Sequence, residues 1–432
     1  MFQLYDRTRR RISIALFFLL CVAPTAMVVA WCVRQRLPGY AQSEAERLGR
    51  QLGARIELDN LFHPVPGRTV YEGLRVCNPE TGRVIVACRR LEAATGPFVA
   101  LSATGVEIQA DQWDQLSAVV DRVLSCRAGW HSLDARLQVD QAVYRVAEDS
   151  CALDQVRCRV QIVSLGSQIE LNFRVAGIAM PQPAWFRVVR NRQTDPPETG
   201  LEWNTGGAAL PSIVLPPSLG LRQMLGADAQ LSGAGWANRT AEGWAAEATG
   251  RLSEIDLDRL VTNRFPHTLN GRAQVEIKSA KVHRGRIQQL WAAVEAGPGI
   301  ASDSLLEAGV RHLGLSDVDT LPRSAQTPYE QFSLEFFIDS RGLQLRGRCD
   351  DYGTICRSKQ SRLLTGSSQE PLPLAALLQA LAPGTHPQVP ATPQTESLLS
   401  LLPVAADQSS GHVAVPARSV SAEPLGANAA KQ

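Results

Sequence analysis

The residues able to do chemistry in this 432-residue chain are scattered. Seven histidines, at His63, His131, His267, His283, His312, His386 and His412, lie far apart and form no H-E-x-x-H metal pattern. No G-x-S-x-G elbow presents a serine nucleophile, and no G-x-x-x-x-G-K-[ST] loop cradles a phosphate. Gly233-Ala234-Gly235 is half of a dinucleotide fingerprint, but the helix that would carry the pyrophosphate does not follow, so a turn is the better reading. Asp350-Asp351 brings two carboxylates together as an acid/base pair would, yet Tyr352-Gly353 after them marks a solvated hairpin turn. Among nine cysteines, Cys151 with Cys158 and Cys349 with Cys356 are spaced C-x6-C. Each pair either bridges in an oxidising compartment or packs as small apolar residues, and neither has the C-x2-C spacing of a zinc site. No enzymatic activity, metal or cofactor is expected from these residues.

The elements that hold them are more informative. Hydrophobic residues make up 44% and charged ones 20%, the composition of a folded globular chain. Forty-four basic residues balance 42 acidic ones, and the arginines fall singly along strand-like segments. A phosphate-tracking surface needs them clustered or interleaved with aromatics, so no nucleic-acid partner is expected.

Residues 12–33 read ISIALFFLLCVAPTAMVVAWCV without a charge, longer than the roughly 20 residues a helix needs to cross a hydrocarbon core. Arg7, Arg9, Arg10 and Arg11 precede the run, against Arg34 and Arg36 after it, which predicts a cytoplasmic N-terminus and an exported remainder. Pro24 falls mid-span and Trp31 near the outer end. A cleaved signal peptide is the rival reading, but the apolar run continues past Ala23-Pro24-Thr25-Ala26, where a small-residue cleavage site would be sought.

Beyond the span, Ser43 to Leu52 is charged and helix-forming, and Ala54 to Leu61 alternates aliphatic with charged residues at the period of a half-buried strand. Tyr71 to Cys77 and Arg83 to Arg89 flank a turn cluster and predict a hairpin. A helix is expected near 112–124, where Trp113, Leu116, Val120 and Val123 recur at three and four. Alternation returns at Leu137 and Val139, at Val160 and Ile162, at Ile169, Leu171 and Phe173, at Val275 and Ile277, at Leu334 and Phe336, and at Leu343 and Leu345. Short helices are expected from Ser253 and over Ser302 to Leu313, and an amphipathic one over Pro373 to Ala382. Repeated amphipathic strands with few helices argue for an antiparallel sheet, which can leave one face in water.

Ile255-Asp256-Leu257-Asp258-Arg259-Leu260 leads to Phe265-Pro266, then Leu269-Asn270-Gly271-Arg272-Ala273 and Lys281-Val282-His283-Arg284-Gly285-Arg286. With Gly299-Ile300-Ala301, Ser304-Leu305-Leu306 and Phe332 ahead of Gly342-Leu343-Gln344-Leu345-Arg346-Gly347, this series resembles the C-terminal region of AsmA-like proteins. Residues 53–93 resemble that family's first strands, so about half the chain is covered, while 96–250 matches only in strand character. The resemblance implies an extended, curved antiparallel β-sheet groove related to TamB and the bridge-like lipid-transfer proteins. It implies residence in the inner membrane of a Gram-negative-type bacterium, most of the chain being periplasmic. Phospholipid or another acyl-chain lipid, and envelope proteins, are the partners it implies.

The expected layout is therefore a mainly β protein in six parts. These are a cytoplasmic N-terminus (1–11), a transmembrane helix (12–33), a first β-rich exported subdomain (34–192), a Pro/Gly-rich junction (193–217), an AsmA-like subdomain (218–383) and a disordered tail (384–432). The thirteen alternating positions named above, Leu137 through Leu345, are the candidate groove-facing, lipid-binding residues. The same alternation equally describes a closed sandwich core, which leaves an envelope scaffold that binds proteins and no lipid as the alternative.

Overall fold

A computed structural model describes residues 6–382 apart from 37, 127–128, 131, 218–219, 319–324, 360 and 367–369. The expected disordered tail at 384–432 lies outside the described residues. The N-terminal apolar run is helical: α1 (Asp6–Phe17), a π-helical turn (Phe18–Val22) and α2 (Ala23–Arg36). Pro24 has no N–H for the preceding turn, and the wider π turn falls immediately before it. Residues Arg10–Ala30 are long and apolar enough to span a membrane, and none of that stretch is buried against the rest of the protein.

Helix α3 (Pro38–Leu52) ends at Gly53, whose φ of 69° suits a residue without a Cβ. The strands that follow are β1 (Arg55–Glu57), β2 (Asn60–Phe62), β3 (Arg68–Cys77), β4 (Val84–Ala94) and β5 (Val99–Gln109). Helix α4 (Trp113–Leu124) precedes β6 (Leu133–Val146), β7 (Asp149–Val163), β8 (Gly166–Val175), β9 (Ala184–Asn191), β10 (Glu198–Asn204) and β11 (Leu210–Pro211). After the short α5 (Leu221–Leu225) come β12 (Gln230–Thr240), β13 (Gly243–Asp256), β14 (Arg272–His283), β15 (Arg286–Ala296) and β16 (Gly299–Ser302). Helix α6 (Asp303–Leu313) leads to β17 (Ser316–Asp317), β18 (Gln326–Tyr329), β19 (Gln331–Asp339), β20 (Gly342–Gly347), β21 (Thr354–Arg357) and β22 (Arg362–Thr365), and α7 (Leu374–Leu381) closes the described chain.

Twenty of these strands belong to one sheet. From β3 it runs through β4, β5, β6, β7, β8, β9, β10, β12, β13, β14 and β15 to β19, each strand bonded to the next. The Pro/Gly-rich stretch at 193–217 holds a strand of its own, β10, paired on both sides, so the sheet passes through it. One pairing corrects the expectation of a purely antiparallel sheet: β5 and β6 are parallel. The helix between them is the reason, because α4 carries the chain back the length of the sheet before β6 starts. A second correction concerns Ser253, which caps no helix; β13 continues to Asp256 and only a π-helical turn, Asp258–Thr262, follows.

Long strands keep one face apolar through an irregularity. In β6 the buried residues run Ala135 and Val139, then change parity to Ala142 and Tyr144; in β7 they run Cys151 and Leu153, then Val156. The change falls where pairing skips Gly73, Arg89, Gly105 and Gln155, and three of these have positive φ (62°, 63° and 52° at Gly73, Gly105 and Gln155). A residue in the left-handed region turns the backbone there and changes the parity of the alternation, so the same face stays greasy on both sides of it. Glycine suits position 73, where φ is 62° and a Cβ would push against the Asp59 side chain.

That face is covered at both ends of the sheet. Over β4–β8 a first core gathers Val139, Tyr144, Leu153, Val156 and Phe173 beneath Met180, Ala208 and Leu210 from the segments after β8 and β10. Helix α4 is pinned at its C-terminal end: Ser167 Oγ donates to the Leu124 carbonyl at 2.6 Å, and Arg190 donates to Asp121 at 2.6 Å. At the far end a second core joins Ile255, Leu257, Ala273, Leu306, Ile355 and Leu363, and a third sets Ile338, Leu343 and Leu345 against Leu374 and Leu377 around α7.

Candidate functional site

The thirteen positions expected to line a groove do not share one surface. Val139 and Phe173 are buried inside the first core, with Leu137 and Leu171 packed against it. Leu343 and Leu345 form the third core, with Leu334 and Phe336 beside them, and Val275 packs on the second. Ile162 is 1% exposed. Only Val160, Ile169 and Ile277 are half-buried and join no core.

Val160 and Ile169 open onto a different stretch, the middle of the sheet. Register places Val160, Ile169, Val188, Leu201, Ala237, Ala246, Val282 and Ile287 side by side in one row across β7 to β15. The neighbouring row on the same face is Leu171, Phe186, Trp203, Gly235, Ala248, Ala280 and Leu290. The two rows hold no charged side chain. Phe186 is 37% exposed, and Leu201, Trp203, Ala237, Ala246, Ala248, Ala280, Val282 and Ile287 are half-buried. Helix α4 reaches the near edge of this face, where it holds Ser167 on β8 and Arg190 on β9 and Val188 beside them is buried, whereas α6 packs on α7, β16 and β22.

The opposite face of the same strands carries ion pairs. Arg187 sits 3.7 Å from Glu170 and 3.3 Å from Glu202, and Lys281 is 3.6 Å from Glu247. Arg187, Glu202 and Glu247 are as half-buried as the apolar residues behind them. Equal exposure on both faces is what a single layer of sheet gives; a two-layer sandwich would have hidden one of them.

The apolar rows are graded in size. Between the large residues of β8–β10 and Leu290 on β15, positions 235, 237, 246, 248 and 280 are glycine or alanine. This makes a shallow trough, and Trp203 already leans into it: a Cβ on Gly235 would lie 2.8 Å from the indole Nε1. Such a surface offers dispersion contact and dryness, with the Trp203 indole N–H as the one side-chain hydrogen-bonding group in the two rows. It suits hydrocarbon, at about 25 cal/mol for each Å² of apolar surface removed from water.

Several of the chemistry-bearing residues singled out in the sequence take part in the fold. Asp350 accepts from the Tyr352 and Thr354 amides at 3.0 and 3.1 Å and pairs with Arg362 at 3.1 Å, which fixes a turn. Gly233 and Gly235 lie within β12 rather than in a turn. Neither C-x6-C pair forms a disulfide. For Cys151 and Cys158 the reason is distance, since both lie on β7 and seven residues of strand span about 23 Å. Burial, with the Glu170 charge nearby, pushes the Cys158 thiol up to about 11, so it stays protonated. His267 is 3% exposed, with Nδ1 3.0 Å from Ser304 Oγ and Nε2 3.0 Å from the Ala380 carbonyl, and it ties α7 to the start of α6.

Phe186, Val188, Leu201, Trp203, Ala237 and Ala246 were missing from the expected lining. Their signal was in the sequence: Phe186 and Val188 alternate with Arg187, and Leu201 and Trp203 with Glu202. The prolines and glycines around them masked it. No protein-family model matches the chain, and no curated protein matches it.

Proposed function

We propose that this is a single-pass membrane protein of the AsmA-like type, which holds its sheet on the periplasmic side of the inner membrane and receives acyl chains of phospholipid on the open apolar face. The observation that carries this reading is the pair of uncharged rows across β8–β15, centred on Phe186, Leu201 and Trp203, with no second layer over those three among the described residues. An N-terminal helix long enough to span a bilayer, with four arginines before it, supports the anchor and its orientation. The role is binding or passing lipid between envelope membranes, or supporting outer-membrane assembly, without catalysis.

The test is extraction of the full-length protein and mass spectrometry of the lipid that accompanies it. Wild-type protein is expected to carry phospholipid, and Leu201→Asp combined with Phe186→Asp to lose it while melting normally, because both side chains stand at the open face. Wild-type protein free of lipid would end the proposal. A second reading, a membrane-anchored scaffold for envelope proteins, draws on the burial of Val139, Ile162, Phe173, Leu343 and Leu345 in packed regions. It predicts co-purifying proteins and indifference to the Leu201 and Phe186 substitutions.

A further inference from the structure

A second surface lies on the polar face near the other end of the sheet. Register sets Arg68, Ala94, Ala100, Arg136 and Arg159 in one row across β3–β7. Glu92, Ser102, Gln138, Arg157 and Asn172 form the adjacent row on the same face. Together these residues border a cavity of about 500 Å³, with Phe98 at its edge. Arg68 and Arg136 stand three strand spacings apart, about 14 Å. Only the methyl groups of Ala94 and Ala100 lie between them, so two long side chains face each other over a gap.

The charge there is unbalanced. Four arginines border the cavity against one carboxylate, Glu92, which is already 2.7 Å from Arg90. Asp134, beside the cavity, is shared by two guanidiniums, Arg159 at 3.2 Å and Arg136 at 3.7 Å. Among the described residues, Arg68 and Arg157 have no ion-pair partner. The Arg136 guanidinium lies 4.0 Å over the Phe98 ring, which holds its plane while leaving its N–H groups outward. Farther along this face basic side chains sit beside carboxylates, as Arg187 and Lys281 do.

We infer that this basin binds a phosphate monoester. Guanidiniums from several directions suit a doubly charged oxyanion, whose three oxygens each accept two bonds. Ser102, Gln138 and Asn172 supply neutral donors and acceptors for hydroxyls, and the cavity has room for more than a bare phosphate. The site is on the face opposite the apolar rows and does not depend on their proposed role.

The phosphate can come from a soluble sugar phosphate or from a lipid headgroup, and two arms distinguish them. Full-length protein in phosphatidylcholine nanodiscs is titrated with glucose 6-phosphate and with glucose. Separately, the nanodiscs are tested for capture by vesicles with and without phosphatidic acid. Saturable binding of glucose 6-phosphate but not glucose assigns a soluble ligand, and capture only by phosphatidic acid vesicles assigns a headgroup. Either should weaken about tenfold or more in R68A/R157A, which removes two charge-assisted contacts. Both side chains are exposed, so the variant should melt as wild type does. No binding in either arm, or binding that R68A/R157A leaves unchanged, overturns the site.

Discussion

The two ends of the sheet and its middle follow the same rule of alternation and meet different fates. At the ends, Val139 and Phe173, or Leu343 and Leu345, point into cores closed by loops or by α7. In the middle, Leu201 and Trp203 alternate just as regularly with Gly200 and Glu202 but have no layer above them among the described residues. Alternation thus fixes which face a side chain takes, and a second element decides whether that face becomes core or surface. The middle also uses small residues where the ends use large ones, which lowers its floor rather than filling it.

Substitutions that shorten apolar side chains should separate the regions most clearly. Leu343→Ala, at a site 1% exposed and packed on Ile338 and Leu345, should cost about 2–5 kcal/mol, read from the denaturant midpoint of the full-length protein in detergent. A cost below about 1 kcal/mol would mean that the end is as loosely covered as the middle. Tyr144→Phe should move stability the other way by about 1 kcal/mol. Its hydroxyl is buried in the first core without a hydrogen-bond partner among the described residues, and burial pushes its pKa up to about 12.

The covered end should also respond to pH through His267. Burial lowers its pKa from the ordinary 6.5, the bond to the Ala380 carbonyl opposing only in part. The unfolded chain therefore binds its proton at higher pH than the folded one. Stability is complete above about pH 6.5 and declines as the pH falls through 6.5 towards the folded value. A stability series across that range should show the decline in wild type and a flatter profile in His267→Gln. The smallest change is expected in the middle, where Leu201→Ala should lie within about 0.5–1 kcal/mol of wild type. A loss as large as that of Leu343→Ala would break the comparison, because it would place a covering layer over β10.

Much of this arrangement is legible in the amino-acid sequence. The charge-free run of 12–33 sets a membrane-length helix, the three-and-four spacing from Trp113 to Val123 sets α4, and the leucines of 374–381 set α7. These are local properties, dictated by hydrogen bonding along the backbone and by which residues recur on one side of a helix or strand. The parallel join of β5 and β6, the skipped positions at Gly73, Gly105 and Gln155, and the open rows through Phe186 and Leu201 were decided only by the tertiary fold. Each depends on which strand lies next to which and what covers it. A sequence does not spell that out, because neighbours across a sheet are set by long-range pairing and the covering layer comes from distant parts of the chain.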